Sequence, residues 1–440
     1  MTRLFYASTL FGAMTLAAAI DAGRFGPREG RQILMVSNNA AIPEVATALD
    51  EAPAFAALRS RFDEVWSWNE IVAPLHPSDW KARVIEVPMI GRLVSSHLSL
   101  GDGPDELVVE SIAVPPARTI AGLVRDCPIT VYSDGLMSYG PTRDPLPLEI
   151  SGRITRLLHL DLVPGLTPLL LSEYGVPAER LPDAAFTGVI GQVAAAVRDL
   201  VADDAAGDPL ILGQYLSALD VLSRPEEEAL HADMLRGLAA RGHTQVIFKP
   251  HPAAGRGHVR ALRETAEELG VRLVVAGETV PAEALFAALR PSLVVGCFST
   301  ALATARRYFG LPVATMGGEL VLERLTPYEN SNRVPATLID ATTPLLRPDG
   351  GLEDPPVAAE RVVPLVQAVG FCMQSTVYPE LRETAAAYVD EAGPGRYFKR
   401  QRLSSVGVPY RVEDGGAAAR PAKEPASALN RLRRRLSRSI

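Results

Sequence analysis

Two kinds of segment alternate along the chain: uniformly apolar runs of about four to seven residues, and longer runs with apolar positions at helical spacing. LFYAS reads as a strand, Ser8-Thr9 as a turn with Thr9 placed to cap a helix, FGAMTLAAAIDAG as that helix, and QILMVSN as the next strand. The apolar stretch Leu4 to Ile20 also has the outline of a signal peptide. However, Ser8 and Thr9 interrupt it, Asp21 and Gly23 end it, and a strand-like run follows at once, all of which strand, turn and helix explain. Strand, helix and strand together imply a parallel sheet.

The alternation continues through DEVWSWN, ELVVES, the amphipathic RTIAGLVRD and the strand PITVY, so residues 1–201 read as one doubly wound domain. A small, polar stretch, ADDAAGDP at 202–209, reads as a linker. The second half repeats the pattern: strand PLILG, helix PEEEALHADMLRGLAARG, strand TQVIF, helix VRALRETAEELG, strand VRLVVAG, helix AEALFAALR, strand SLVVG, helix ALATARRYFG and strand PVATM. Short, wholly apolar strands suit a parallel sheet covered on both faces. The expected class is therefore α/β, with two Rossmann-like domains and a cleft between them. The second domain spans 210–375, a helical extension 376–410, and a flexible linker with a basic tail 411–440.

Composition narrows the function. At 440 residues the chain exceeds the size at which one core stops growing. A net charge of −7 gives no general reason to expect a nucleic-acid partner. Cys127, Cys297 and Cys372 are few, odd in number and far apart, as expected of reduced thiols in the cytoplasm. After residue 20 no run reaches the roughly 18 to 20 apolar residues of a membrane span.

Ligands of open parallel sheets sit beyond the carboxyl ends of the strands, so the residues just after each strand are the candidates for chemistry. In the second half these are Gly213 and Gln214, the KPHP run with Lys249, His251 and Pro252, and Ser299 with Thr300. Two prolines hold His251 in extended backbone beside the Lys249 charge, which suits a leaving-group phosphate. A His-Pro pair is common, and His76-Pro77 is set aside as one without a role. Ser299 and Thr300 open a helix whose free N–H groups favour an anion, although a plain helix cap explains them equally. Glu283, at another helix start, either complements the helix dipole or binds ribose hydroxyls. In the first half, Ser133-Asp134-Gly135 follows PITVY. Asp134-Gly135 is a common turn pair, and also places a carboxylate where it can take a proton from an acceptor hydroxyl. Tyr139, Thr142 and Arg143 follow in a loop within substrate reach. No Asp-x-Asp pair, clustered Cys or His, GxxxxGK[ST] or GxSxG occurs, so a metal-independent reaction without cofactor is expected.

SDG, KPHP and FST, in that order, resemble the acidic-acidic-glycine, His-Pro and Ser-Ser or Ser-Thr motifs of bacterial sialyltransferases and polysialyltransferases. The resemblance covers residues 1 to about 375 and implies a GT-B-type fold, with the acceptor bound by the first domain and a CMP-sugar by the second. It implies Asp134 as general base, His251 assisting departure of CMP, and Ser299 and Thr300 binding its phosphate, with Pro281 and Glu283 near the nucleotide. Gly213, Gln214, Lys249 and Pro252 fall on the donor side, and Ser8, Thr9, Ser133, Gly135, Tyr139 and Arg143 on the acceptor side. Ser133 departs from the pattern, standing where the family has an acid. The reaction implied is inverting transfer of an acidic sugar to a glycan hydroxyl, without nucleic acid as partner. Rival readings are a CDP-glycerol-type or other surface-polymer transferase, a nucleotide-sugar epimerase, and a non-catalytic binding protein. In the tail, Arg431, Arg433, Arg434, Arg435 and Arg438 surround leucines at helical spacing, which suits either an anionic membrane surface or a disordered solubilising tail.

Overall fold

The computed structural model describes residues 1–133, 135–251 and 258–410. Asp134, Pro252 and the tail arginines therefore lie outside the described residues. A compact unit running from Met1 to Val362 contains two sheets of seven strands, and a second unit begins at Val363.

The first sheet is built from β1 (Thr2–Ala7), β2 (Arg31–Val36), β3 (Glu64–Ser67), β4 (Glu106–Val109), β5 (Ile129–Ser133), β6 (Ile154–His159) and β7 (Ala178–Arg180). Its order is β3-β2-β1-β4-β5-β6-β7, all parallel. The second sheet contains β8 (Leu210–Leu212), β9 (Gln245–Lys249), β10 (Arg272–Val275), β11 (Val294–Gly296), β12 (Val313–Thr315), β13 (Leu345–Leu346) and β14 (Leu352–Glu353). Its order is β10-β9-β8-β11-β12-β13-β14, with only β14 antiparallel. These are the expected doubly wound, Rossmann-like sheets. In each, the order reverses direction once, between β1 and β4 and between β8 and β11, and a crevice opens at such a switch point.

Most strands read from the sequence are buried on both faces, with Leu210, Ile211 and Leu212 all 3% exposed or less, whereas the edge strands β3 and β10 are mainly half-buried. The opening segment folds as anticipated, with Thr9 capping the helix Leu10–Asp21 by accepting from the Gly12 N–H. Strands β6 and β7 escape the reading because they are not uniformly apolar. Thr155 is exposed and Arg156 half-buried, the latter reaching Thr130 and Glu106, while β7 is a three-residue edge.

The two sheets are joined within the first unit by packed rings and ions. Phe186, on the helix Asp183–Ala196, lies 5.6 Å from Phe11 of the first half and 5.2 Å from Tyr308 of the second, ring centre to ring centre. Arg307 beside Tyr308 donates to the Asp161 carbonyl and the Asp183 carboxylate. In the second unit, Arg402 donates to the carbonyls of Cys372 and Met373, at the end of the helix Val362–Met373.

Phe186 is fully buried between these two neighbours. Phe186→Ala is expected to cost about 3–5 kcal/mol, with Phe186→Leu losing far less. Calorimetric melting checks this: a melting temperature for the alanine variant within a degree of the parent's would show that the ring does not bridge the halves.

Candidate active site

The loop after β8 organises the second switch point. Gly213 donates its N–H to the Lys249 carbonyl at 2.9 Å, and a Cβ there would lie 2.8 Å from the Phe248 ring, so only glycine fits. Buried Gln214 accepts from the Phe298 N–H at 3.0 Å, crossing the crevice to the turn that carries Ser299. Tyr215, the next residue, lies against His251, ring centres 4.0 Å apart. One short loop thus contacts both phosphate-compatible strand ends. It is itself held by the fully buried carboxylate of Glu227, which accepts from the N–H of Leu216 at 2.8 Å and of Ser217 at 2.9 Å, and from the Ser217 hydroxyl at 2.6 Å.

Around this loop the charges are muted. Lys249 is buried, donating to the carbonyls of Pro250 at 2.7 Å and Glu278 at 3.1 Å, and burial pushes its ammonium down to about 8. Its cation sets the local field and fixes the chain before His251. His251 keeps a partly exposed edge, yet burial first and Lys249 second push it down to about 3, so its imidazole is neutral near pH 7. A neutral ring still offers one N–H donor.

Ser299 caps the helix Thr300–Phe309, its hydroxyl oxygen accepting from the Ala301 N–H at 3.2 Å. The cap leaves the hydroxyl proton available, at a helix end whose first N–H groups have no intrahelical partner. Glu283 is buried and accepts from the Thr304 hydroxyl at 2.8 Å, tying two helices together, and burial raises its pKa.

In the first half, Ser8 follows β1, and both its N–H and its hydroxyl donate to Glu110, the residue after β4. Thr9 is exposed at its helix start, and Ser133 is buried at the end of β5. The SDG turn meets the second half directly. A Cβ on Gly135 would stand 2.9 Å from the Thr300 hydroxyl oxygen, which accepts a long contact of 3.4 Å from the Leu136 N–H. Two of the three motifs therefore touch, and the third is linked to them through Gln214 and Tyr215. Tyr139 and Thr142 are instead buried beneath the loop. Their hydroxyls accept from the N–H groups of Val163 and Leu171, and burial pushes Tyr139 up to about 12. Arg143 is exposed.

Sequence reasoning missed Glu110, Tyr215 and Glu227. Glu110 and Tyr215 each directly follow a strand or a residue already singled out there; Glu227 lies inside a helix and carries no such signal. Among the described residues no cluster of three or more His, Cys, Asp or Glu is placed to hold a metal ion.

A family model described as alpha-2,8-polysialyltransferase (POLYST) matches residues 3–318. No curated protein matches the chain. Among solved structures, the GT-B domain of a Photobacterium damselae sialyltransferase aligns over 77% of this chain and 96% of its own, at 11% identity and a TM-score of 0.42. E. coli heptosyltransferase WaaC with an ADP-heptose analogue aligns over 72% and 88%, at 15% identity and a TM-score of 0.35. UDP-GlcNAc 2-epimerase from Methanocaldococcus jannaschii aligns over 84% and 100%, at 12% identity and a TM-score of 0.42.

Gly135 has φ −158°, an extended backbone that alanine adopts freely, so Gly135→Ala tests the contact with Thr300 alone. The overpacked variant is expected to lose about 1–3 kcal/mol. Adding Thr300→Ala should recover part of that loss, with a coupling above about 0.5 kcal/mol in a double-mutant cycle by denaturant unfolding. Strict additivity would mean that the two turns do not bear on one another.

Proposed function

Because this chain belongs to the alpha-2,8-polysialyltransferase family and is a glycosyltransferase, we propose that it moves sialic acid or a related acidic sugar from a CMP-sugar to a glycan hydroxyl. The reaction is a direct, inverting displacement without a metal. Asp134 takes the proton of the acceptor hydroxyl as its oxygen bonds to the anomeric carbon. The bond from that carbon to the phosphate oxygen breaks, and CMP leaves with the electron pair. The observation that supports this best is the contact of Gly135 with Thr300, which brings the turn carrying Asp134 against a helix end suited to a phosphate.

On the leaving side, the helix N-terminus, the hydroxyls of Ser299 and Thr300 and the His251 N–H receive the developing charge. An arriving phosphate raises the pKa of His251 from its depressed value. Lys249 and Glu227 act by positioning. Glu283, closed by Thr304, shapes the pocket wall rather than gripping the ribose. The first domain, 1–201, takes the acceptor; the second, 210–375, takes the donor.

Residence in the cytoplasm at the inner membrane face is part of the same reading, since a surface polymer is built on an anchored acceptor. No helix of the described residues is long and apolar enough to cross a membrane. The contact is assigned to Arg431, Arg433, Arg434, Arg435 and Arg438, with basic side chains near an anionic leaflet contributing about 1 kcal/mol each.

The test is to incubate the purified full chain with CMP- and CDP-linked donors, with and without a sialic-acid trisaccharide. Acceptor-dependent release of CMP and elongation of the trisaccharide are expected. Asp134→Asn should slow transfer by about 10² to 10⁴. Turnover without acceptor, or an asparagine variant within a few-fold of the parent, would overturn the assignment.

A further inference from the structure

The crevice at the switch point of the first sheet is filled in an unusual way. The helix Leu10–Asp21 follows β1 and so starts at the switch point between β1 and β4, the position at which doubly wound folds commonly seat a phosphate. Here a protein carboxylate occupies it. Glu110, 2% exposed, accepts from the Ser8 N–H and the Ser8 hydroxyl, both at 2.5 Å. Its other oxygen lies so close to the first helical turn that a Cβ on Gly12 would stand 2.2 Å away. The helix end and two donors together favour the ionised form. A second anion at this end would meet that carboxylate at short range.

Beside it lies a second, independent feature. Tyr6, 1% exposed, carries a hydroxyl without a hydrogen-bond partner, an arrangement that leaves a buried donor unsatisfied. Ser8, Ser37 and Asn39 stand near it, and burial first and the Glu110 charge second raise its pKa, so it stays a neutral donor. Ser37 is turned aside, donating to the Asn39 side-chain oxygen at 2.6 Å, with Asn39 at the exposed rim. Strand β5 adds support from below, since the Tyr132 hydroxyl donates to the Tyr6 carbonyl at 2.8 Å.

We propose that Tyr6, Ser8 and Glu110 form a subsite for neutral sugar hydroxyls of the acceptor, and that Glu110 makes this crevice reject phosphate. The acceptor places one oxygen to receive the Tyr6 proton and one hydroxyl to donate to Glu110. The subsite rests on the transferase reading above, and gives a reason for the nucleotide to sit on the other sheet: the helix after β11 starts with the hydroxyl of Ser299 where the helix after β1 meets a carboxylate. It also supplies an acid to the acceptor side, at the neighbouring strand end, where Ser133 replaces the one expected in the motif.

The experiment uses the full chain, CMP-sialic acid and the sialic-acid trisaccharide, comparing the parent with Tyr6→Phe and Glu110→Gln. Tyr6→Phe removes only an unpartnered hydroxyl, so folding is preserved. Its acceptor KM is expected to rise about three- to tenfold, and that of Glu110→Gln about ten- to a hundredfold. Donor KM and CMP affinity by calorimetry should stay within twofold, which also certifies that the variants are folded. Acceptor KM values within twofold of the parent for both variants would overturn the subsite while leaving the transferase reading intact. A parent that binds CMP but never extends the trisaccharide would overturn the reading and the subsite with it. If Glu110→Gln does not fold, Tyr6→Phe alone decides.

Discussion

A side chain that is absent sets the geometry of this protein. Gly135 lets the turn after β5 approach the start of the helix Thr300–Phe309 to a distance that any Cβ would close. Parallel sheets gather their loops at the carboxyl ends of the strands, and each sheet alone offers only half of what group transfer needs. The contact brings a turn of the first sheet to the helix end of the second. Phe186 between Phe11 and Tyr308, and Arg307 between Asp161 and Asp183, brace the same arrangement on another side.

Buried carboxylates then divide the labour. Glu227 spends its oxygens on the loop that carries Gln214 and Tyr215, and Glu283 binds Thr304. Glu110 covers the helix end of the first sheet. Each is stabilised by internal donors, as buried carboxyl groups must be. The start of the helix Thr300–Phe309 is met by a hydroxyl, and the cations nearby are subdued, Lys249 by burial against carbonyls and His251 by neutrality.

Much of this was legible in the sequence, for a physical reason. Strands covered on both faces must be uniformly apolar, so PLIL, TQVIF and SLVVG announced themselves, and the residues after them followed from the geometry of parallel sheets. Thr9 and Ser299 were readable as caps because their side-chain chemistry is local. Strand β6 was not, since Arg156 serves an ion network with Glu106 and Glu179 that no local pattern reveals. Tyr139 read as a loop residue from its polar neighbours, but its ring is core and its hydroxyl serves Val163. Glu110 was passed over as the polar end of a strand. Its meaning depends on Ser8, 102 positions away in the chain, and on Gly12, and only the fold brings these together.

The central claim is a division between a phosphate-binding edge on the second sheet and an acceptor-activating turn on the first. Calorimetric titration of CMP into four full-length proteins tests it most directly: the parent, Asp134→Asn, His251→Ala, and the Ser299→Ala, Thr300→Ala pair. The account predicts unchanged affinity for Asp134→Asn and a loss of about tenfold or more for each of the other two, since each removes hydrogen bonds to a charged group. Unchanged CMP affinity in both second-sheet variants, or a loss confined to Asp134→Asn, would contradict it.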